Sequence, residues 1–551
     1  MSFKDKVVYQ IYPKSFYDSN NDGIGDLNGI TEKLDYLQYL GVDYIWITPF
    51  FISPQKDNGY DVADYYNIDP LYGTMEDFEN LVSEAKKHGI EIMLDMVFNH
   101  TSTEHEWFKK AISGEKKYQD YYIFKKGEKD SLPTNWVSKF GGNSWVYVPE
   151  LDMYYLHLFD KSQADLNWEN PQVRQEMSNI VNFWRKKGVK GFRFDVVNLI
   201  SKPEKFENDY IGDGRRFYTD GPKIHDYLKE LNKNSFGQDK TIITVGEMSS
   251  TTIDNCFKYS REKENELSMV FSFHHLKIDY KDKNKWKLQE PDFEELKNIL
   301  NEWQIGMQKN NAWNALFWCN HDQPKVVSRF GDDKKYWKKS AKMLATIIHC
   351  LRGTPYIYQG EEIGMTNTYF ENIDNFKDVE SLNYYNIFLK EGKTHEEALK
   401  IIQERSRDNG RTPMQWNSDV NGGFSKEVPW INSIKNYKEI NVKQQLEDRD
   451  SILNYYKELI SLRKKYLVLS EGEFIPLKDN QKGTYIYKRK YNNEEILVIT
   501  NFKDKKEITL PMEEINKNYT CILSNNNQKI SLKNKLKLEP YDAYIFYKKN
   551  K

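Results

Sequence analysis

Asn170–Asn198 reads NPQVRQEMSNIVNFWRKKGVKGFRFDVVN, and its punctuation decides the fold. Asn170 is a helix cap, Pro171 suits the first helical position, and Gly188 ends the helix. Val189 then leads into Gly191–Asn198, a short strand where Phe192 and Phe194 alternate with Arg193 and Asp195 before Val196–Val197 resume the apolar run. The same order of helix, Gly, branched apolar residue and strand occurs twice before. Ile30–Leu40, Gly41, Val42 and Tyr44–Phe50 form one instance; Phe78–His88, Gly89, Ile90 and Glu91–Val97 form the other. Three such units argue for alternating β and α elements. Val7–Tyr12, Thr241–Glu247, Met269–Phe273, Asn314–Asn320 and Thr354–Gly360 are further strand candidates, which brings the total to eight. Eight strands separated by helical stretches predict a parallel (β/α)8 TIM barrel. An open doubly wound sheet is the other option, but no Gly-rich dinucleotide fingerprint follows the first strand.

The spacing of the helix stops divides the chain further. Gly41 and Gly89 are 48 residues apart, whereas Gly89 and Gly188 are 99 apart. About 50 residues are therefore inserted after the third strand. The expected division is a barrel from 1–99 and 168–467, with a small inserted domain at 100–167. Leu453–Lys464 reads as the last helix. Beyond it come short alternating segments at Gly483–Lys488, Glu495–Thr500, Tyr519–Leu523 and Ala543–Tyr547, which predict an antiparallel β-sandwich over 468–551.

Composition excludes several classes. A net charge of −2 over 551 residues supplies no field for nucleic acid or an anionic membrane. No run of ~18 apolar residues exists to span a bilayer. The N-terminal MSFKDKVVYQIYP lacks the apolar core of a signal peptide. Cys256, Cys319, Cys350 and Cys521 are scattered and form no C-x-x-C pair, which predicts free buried thiols in a reducing compartment. A cytoplasmic monomer is expected, acting on a small molecule without nucleic acid, membrane or organic cofactor.

Barrels of this kind carry their chemistry at the C-terminal strand ends. Polar groups recur there: Asp95 to Asn99-His100 after the third strand, Arg193 and Asp195 on the fourth, Glu247 ending the fifth, and Asn320-His321-Asp322 ending the seventh. One carboxylate at a strand end is as often a helix cap; four on one rim, without a His/Cys metal set, point to paired acid and nucleophile chemistry. Glycoside hydrolysis requires that pair. Asp195, two residues from Arg193, is expected to stay ionised and attack, while Glu247, with no cation close in sequence, is expected to hold the proton. Asp322 suits sugar hydroxyls, as do His100 and His321.

Asp95-Met-Val-Phe-Asn-His100, Gly191-Phe-Arg-Phe-Asp195, Glu247 and Asn320-His-Asp322 resemble, in order, the four signature regions of glycoside hydrolase family 13, the α-amylase family. The resemblance implies a retaining double displacement on α-glucosides, with a domain inserted after the third strand and a C-terminal β-sandwich. Gln163-Ala-Asp165-Leu-Asn167 is similar to the signature of the family's oligo-1,6-glucosidase branch, with Ala164 where that branch usually carries Pro. Asp57-Asn-Gly-Tyr60-Asp61 resembles the segment that closes the glucose subsite, with Asp57 on hydroxyls and Tyr60 as a stacking platform; Arg411 in RTPMQW resembles a further residue on that sugar. Phe140 and Gln163 complete the substrate-binding set the resemblance implies.

Gly246-Glu-Met-Ser-Ser-Thr251, Phe271–Tyr280, Ala315–Lys325 and Gly353–Gly360 resemble most the branch that cleaves a phosphorylated α-1,1-linked disaccharide. The alternative is an oligo-1,6-glucosidase or a broad exo-α-glucosidase. Lys325 stands where both branches usually have Arg and loses the bidentate fork. A phosphorylated substrate needs cations, and Lys277 and Lys285, after the sixth strand, are the candidates.

Asp18-Ser-Asn20-Asn-Asp22-Gly-Ile24-Gly-Asp26 spaces oxygen donors at alternate positions around a glycine turn. Gly29 stands where an EF-hand needs its bidentate Glu, so this is not an EF-hand. The resemblance carries a structural Ca2+ to Asp18, Asn20, Asp22, Asp26 and the Ile24 carbonyl.

Overall fold

The computed structural model describes residues 3–127, 129–477, 481–515 and 518–549. Eight parallel strands form the centre: β1 (Val8–Ile11), β2 (Tyr44–Ile47), β3 (Glu91–Met96), β4 (Gly191–Phe194), β5 (Ile243–Glu247), β6 (Met269–Phe271), β7 (Ala315–Leu316) and β8 (Thr354–Tyr358). Each of the first six strands after β1 pairs with its predecessor in the chain except across β6 and β7, β8 pairs with both β7 and β1, and a Val270–Asn314 bridge joins β6 to β7 and closes the barrel. The eight-strand barrel expected from the repeat is thus present. Its strands are buried nearly throughout, as a sheet covered on both faces requires.

The helices follow their expected signals. Asn170 accepts the Gln172 N–H and caps Pro171–Lys186, which buries Val173, Met177, Ile180, Val181 and Trp184 against the barrel. Thr74 and Asp77 form a reciprocal capping box for Met75–Lys87. The first helix differs from expectation: Leu27–Glu32 and Leu34–Leu40 are separate helices that meet at Lys33. The Lys33 ammonium lies 3.6 Å from the centre of the Tyr17 ring, a cation–π contact at the junction.

The quoted stretch also departs from its simple reading. The ladder stops at Phe194, Val196 takes a left-handed φ of +34°, and Val197–Leu199 form a 3-10 turn. A β-branched residue rarely adopts that backbone. The result lifts Asp195 off the end of β4, with its N–H held by the Met96 carbonyl of β3.

The insertion is zipped at its base. His100–Ser102 runs antiparallel to Gln163–Asp165, with His100 opposite Asp165, so its two ends return to one place on the rim. Beyond the zipper lies a three-stranded sheet of Phe124–Lys126, Met153–Leu156 and Trp145–Val148. The C-terminal region has a five-stranded antiparallel sheet and a two-stranded one. Along Thr484–Tyr491 and Glu494–Asn501, Tyr485, Tyr487, Ile496 and Val498 face the barrel core, while Ile486, Leu497 and Ile499 face the inner core of the sandwich. All four cysteines are free and buried, and no helix among the described residues is long and apolar enough to cross a membrane.

Candidate active site

Three strand ends converge on one guanidinium. Arg193, on β4, donates through Nη1 to Asp95 at 2.6 Å and to Asp195 at 2.7 Å, and through Nη2 to Glu247. Asp95 is fixed further by the Tyr60 hydroxyl at 2.8 Å and the Trp46 indole at 3.1 Å. Burial raises both Asp195 and Glu247, and Arg193 opposes it in each. Glu247 rises further, to about 8, against about 6 for Asp195. Glu247 has no cation near it in sequence, as expected, but the fork of Arg193 reaches it across the barrel. The order of the two carboxyls still stands, because burial of Glu247 outweighs that contact. Glu247 also lies within hydrogen-bonding reach of Asp195. Carboxyls this close leave no room for the water that an inverting pair, ~6.5–9.5 Å apart, must hold between them.

The opposite wall is built from loops. Asp322 accepts from Arg411 at 2.9 Å and lies 3.4 Å from both Arg407 and His321. Burial alone would raise its carboxyl, but His321, then Arg407 and Arg411, hold it well below the usual range, so it stays ionised. His321 is sandwiched flat against Tyr60, 4.8 Å between ring centres, and accepts the Gln10 amide at Nδ1, which places its proton on Nε2. Arg407 donates to Asp57 at 2.9 Å and to Asp378 at 2.8 Å, and stacks over Phe140 at 4.7 Å. Arg407, Asp378 and Gln10 were not foreseen. Arg407 stands one helical turn before Arg411 in SRDNGR, and that spacing was the available signal.

Asp57 and Tyr60 sit on a turn that calls for glycine at position 59. Asn58 and Gly59 both have positive φ, and a Cβ on Gly59 would meet the Pro49 carbonyl at 2.7 Å. Gln163 donates to Asp57 at 3.0 Å and to the Tyr60 carbonyl at 3.1 Å; His100 donates to the same carbonyl at 3.0 Å. The zipper at the base of the insertion thus braces the turn. Both ring nitrogens of His100 are engaged, the other accepting from Asn99 at 3.3 Å, so what His100 contacts directly is protein rather than an open face.

The two candidate phosphate lysines part company. Lys285 donates to Glu380 at 2.6 Å and is already neutralised. Lys277 is half-buried, and burial followed by the charge of Arg215 lowers its pKa. A lysine that sequence reasoning missed stands near it: Lys139, from the insertion, donates to Ser249 at 3.0 Å. Burial, then Arg215, lower Lys139 to about 7. A cleft of about 1140 Å³ opens at the other end of the barrel among Phe3, Thr244, Trp313 and Arg352, away from every one of these groups.

The profile of the alpha-amylase catalytic domain matches residues 10–472. The chain belongs to the α-amylase family. A C-terminal domain profile, that of the alpha-amylase SusG, matches residues 485–545 of this family member. Trehalose-6-phosphate hydrolase of Bacillus subtilis is 51% identical over 99% of this chain and 98% of its own. Oligo-1,6-glucosidase of Halalkalibacterium halodurans is 44% identical over 100% of this chain and 99% of its own. The crystal structure of Bacillus licheniformis trehalose-6-phosphate hydrolase superposes with a TM-score of 0.94 at 51% identity, covering 99% of both chains.

Two departures from the family pattern gain a physical reading. Lys325 is buried, donates to the Gln359 carbonyl at 3.1 Å and lies over the Tyr358 ring at 4.6 Å. In the loop Asp18–Asp26 the donor chemistry suits a hard cation: carboxylates, an amide and a carbonyl. The arrangement does not form a ready cage. Asp26 accepts from the Ser19 N–H, the Ser19 hydroxyl and the Gly29 N–H, and caps the first helix. Asp18 accepts from the Asn21 and Gly23 N–H groups, while Asn20 donates its amide nitrogen to the Asp22 carboxylate and accepts the Asp22 N–H at its side-chain oxygen. No cluster of three or more acidic, His or Cys side chains placed for a metal occurs among the described residues.

Proposed function

We propose that this α-amylase family member is a retaining α-glucosidase that hydrolyses trehalose 6-phosphate to glucose and glucose 6-phosphate. The observation that carries the mechanism is the Arg193 fork joining Asp95, Asp195 and Glu247. Asp195 attacks the anomeric carbon while Glu247 gives its proton to the glycosidic oxygen, so the C–O bond breaks and glucose 6-phosphate leaves. Glu247, now ionised, takes a proton from water, the hydroxide carbon bond forms at the same carbon, and the Asp195 ester breaks to release glucose. Asp322, kept ionised by Arg411 and Arg407, takes hydroxyl hydrogen bonds that strengthen as the ring flattens. His321, Tyr60, Asp57, Arg407 and Phe140 close the pocket behind the glucosyl unit, which suits removal of one sugar at a time.

The substrate is supported by the two trehalose-6-phosphate hydrolase relatives, each nearer in identity than the oligo-1,6-glucosidase. The sequence after Glu247 favours the same choice. Assaying trehalose 6-phosphate, isomaltose and maltose side by side tests it. The phosphorylated sugar is expected to have the highest kcat/KM; faster turnover of isomaltose would make the chain an oligo-1,6-glucosidase.

A structural calcium ion in the Asp18–Asp26 loop is a further part of the proposal. Asp18, Asn20, Asp22 and the Ile24 carbonyl would hold it, with Asp26 joining only on release from Ser19. Melting in calcium against melting in a chelator decides the matter. A higher Tm with calcium is expected, and equal values would remove the ion from the account.

A further inference from the structure

The two reacting carboxyls lie just beyond the ladder that brings their strands together. Pairing of β4 with β5 ends at Phe194 opposite Gly246, one residue before Asp195 and one before Glu247. From there each chain is held by its outer neighbour. The Met96 carbonyl of β3 accepts the Asp195 N–H, and Glu247 stays in register with Phe271 of β6. Past the ladder one side chain reties the two chains. Asn198, three residues after Asp195, donates to the Ser249 carbonyl at 2.8 Å and accepts the Ser249 N–H at 2.8 Å. Ser249 stands two residues after Glu247. An amide that gives and takes in this way does for the two turns what a hydrogen-bonded pair does for two strands.

Asn198 is held in turn by Asp220. Asp220 Oδ1 accepts the Asn198 amide at 3.1 Å and the Tyr259 hydroxyl at 2.6 Å; Oδ2 accepts the Thr251 hydroxyl at 2.9 Å and the Asn255 amide at 3.1 Å. An ionised carboxylate offers about four acceptor sites, and neutral side chains fill all of them here. The Asp220 N–H donates to the Asn198 carbonyl at 2.9 Å as well. Asn255 and Tyr259 share one face of the helix Ile253–Tyr259. Between Ser249 and Thr251, Ser250 has a φ of +55°, a backbone that serine adopts only at a cost. The segment Gly246–Thr251 is thus a strained turn fastened on both sides of the strain, Ser249 by Asn198 and Thr251 by Asp220.

We propose that Asp220 is a positioning residue for catalysis: through Asn198 and Thr251 it fixes the turn after Glu247, and so aims the acid at the glycosidic oxygen at a set distance from Asp195. The inference rests on the retaining α-glucosidase reading and adds to it the group that keeps acid and nucleophile in step. The effect of Asp220 passes through the turn, since its hydrogen bonds go to Asn198, Thr251, Asn255 and Tyr259. Proton transfer needs the acid within hydrogen-bond reach of the oxygen it protonates, and a misplacement of about 1 Å costs on the order of 100-fold. Strain at Ser250 supplies the drive for that misplacement: with a fastening lost, the turn relaxes and carries the chain after Glu247 with it. Asp195 keeps its own holds, the Met96 carbonyl and Arg193.

The test uses the full chain and two substrates. One is the disaccharide that wild type cleaves best, expected to be trehalose 6-phosphate, whose leaving group needs an acid. The other is α-glucosyl fluoride, whose leaving group does not. Asp220→Asn leaves one acceptor oxygen for four donors and sets an amide nitrogen against two of them. It is expected to lower kcat/KM on the disaccharide about tenfold to hundredfold, chiefly through kcat, and kcat/KM on the fluoride by less than about threefold. Thr251→Val removes one fastening at nearly constant volume and stands in for Asp220→Asn should that variant misfold. It is expected to lower the same ratio by about threefold to tenfold. Equal losses on both substrates, the mark of a merely structural role, or no loss in either variant overturn the proposal and leave the glucosidase reading standing. A wild type inert on α-glucosyl fluoride overturns the glucosidase reading itself, and the positioning role with it.

Discussion

Arg193 touches the nucleophile, the acid and the supporting carboxylate at once, so the protonation of the site is set by how burial and one cation divide among three groups. The pH dependence follows with its sign. Asp195 must be ionised, so kcat/KM rises as pH passes about 6; Glu247 must be protonated, so it falls as pH passes about 8. Glu247→Gln is expected to abolish the alkaline limb on a substrate whose leaving group needs no acid, and a pH profile with such a substrate checks it. The same raised pKa bears on stability. A carboxyl whose folded pKa lies above its unfolded value stabilises the fold below the unfolded value, about 4.3, and loses that contribution as pH rises toward about 8. Glu247→Gln is therefore expected to raise Tm at neutral pH, by about 1–3 kcal/mol of stability, and a Tm unchanged at pH 7 but raised at pH 4 would contradict it. Arg407→Ala leaves Asp57 buried without its ion pair and Asp378 with Arg411 at 3.9 Å; a loss of about 3–5 kcal/mol is expected by denaturant unfolding. The rim carboxylates were legible in sequence because each ends a strand at a spacing the chemistry requires. Arg407, Asp378 and Lys139 were not, because loops far apart in the chain place them, and charged residues are common throughout.

Among the elements, Pro171–Lys186 was readable from both ends, and its stability rests on one large side chain. Trp184 packs on Phe50, Phe51, Phe78 and Phe183 and donates to the Tyr65 carbonyl at 2.8 Å. Trp184→Ala is expected to cost about 3–5 kcal/mol; Asn170→Ala, which removes only a cap, about 1 kcal/mol. Chemical denaturation of the two variants side by side checks the ranking. The strand β4 was harder to bound. Val196 and Val197 have strong strand preference, yet the chain turns there through a left-handed valine so that Asp195 stands clear of the ladder. Local preference loses because the catalytic geometry overrides it. At the break the Lys33 side chain lies over Tyr17 and Trp416, rings from outside the helix that periodicity within it does not reveal.

For the whole molecule, the three regions depend on one another. The insertion returns to the rim because His100–Ser102 pairs with Gln163–Asp165, and Lys202 then locks Asp165 at 2.7 Å. The spacing of the helix-stopping glycines predicts an insertion after the third strand, whereas no sequence signal marks the loop that carries Phe140 and Lys139. The C-terminal sheet gives the barrel a full apolar face, Tyr485, Tyr487, Ile496 and Val498, and buries Arg489 on the Gly472 and Cys350 carbonyls. Truncation after Gly472 would bare the barrel side of that interface, so the shortened chain is expected in the insoluble fraction on expression. The alternation that put one set of residues on each face of this sheet was visible in sequence; which face met the barrel was not, since both sets are apolar.

The account turns on Asp195 as the residue that bonds to the sugar. Glu247→Gln, incubated with α-glucosyl fluoride, should form the glucosyl-enzyme, because fluoride leaves without an acid, and should break it down slowly, because no base remains to activate water. Peptide mass spectrometry is predicted to find one glucosyl unit esterified to the peptide that carries Asp195. Turnover without an adduct, or an adduct on Asp95 or Asp322, would contradict it.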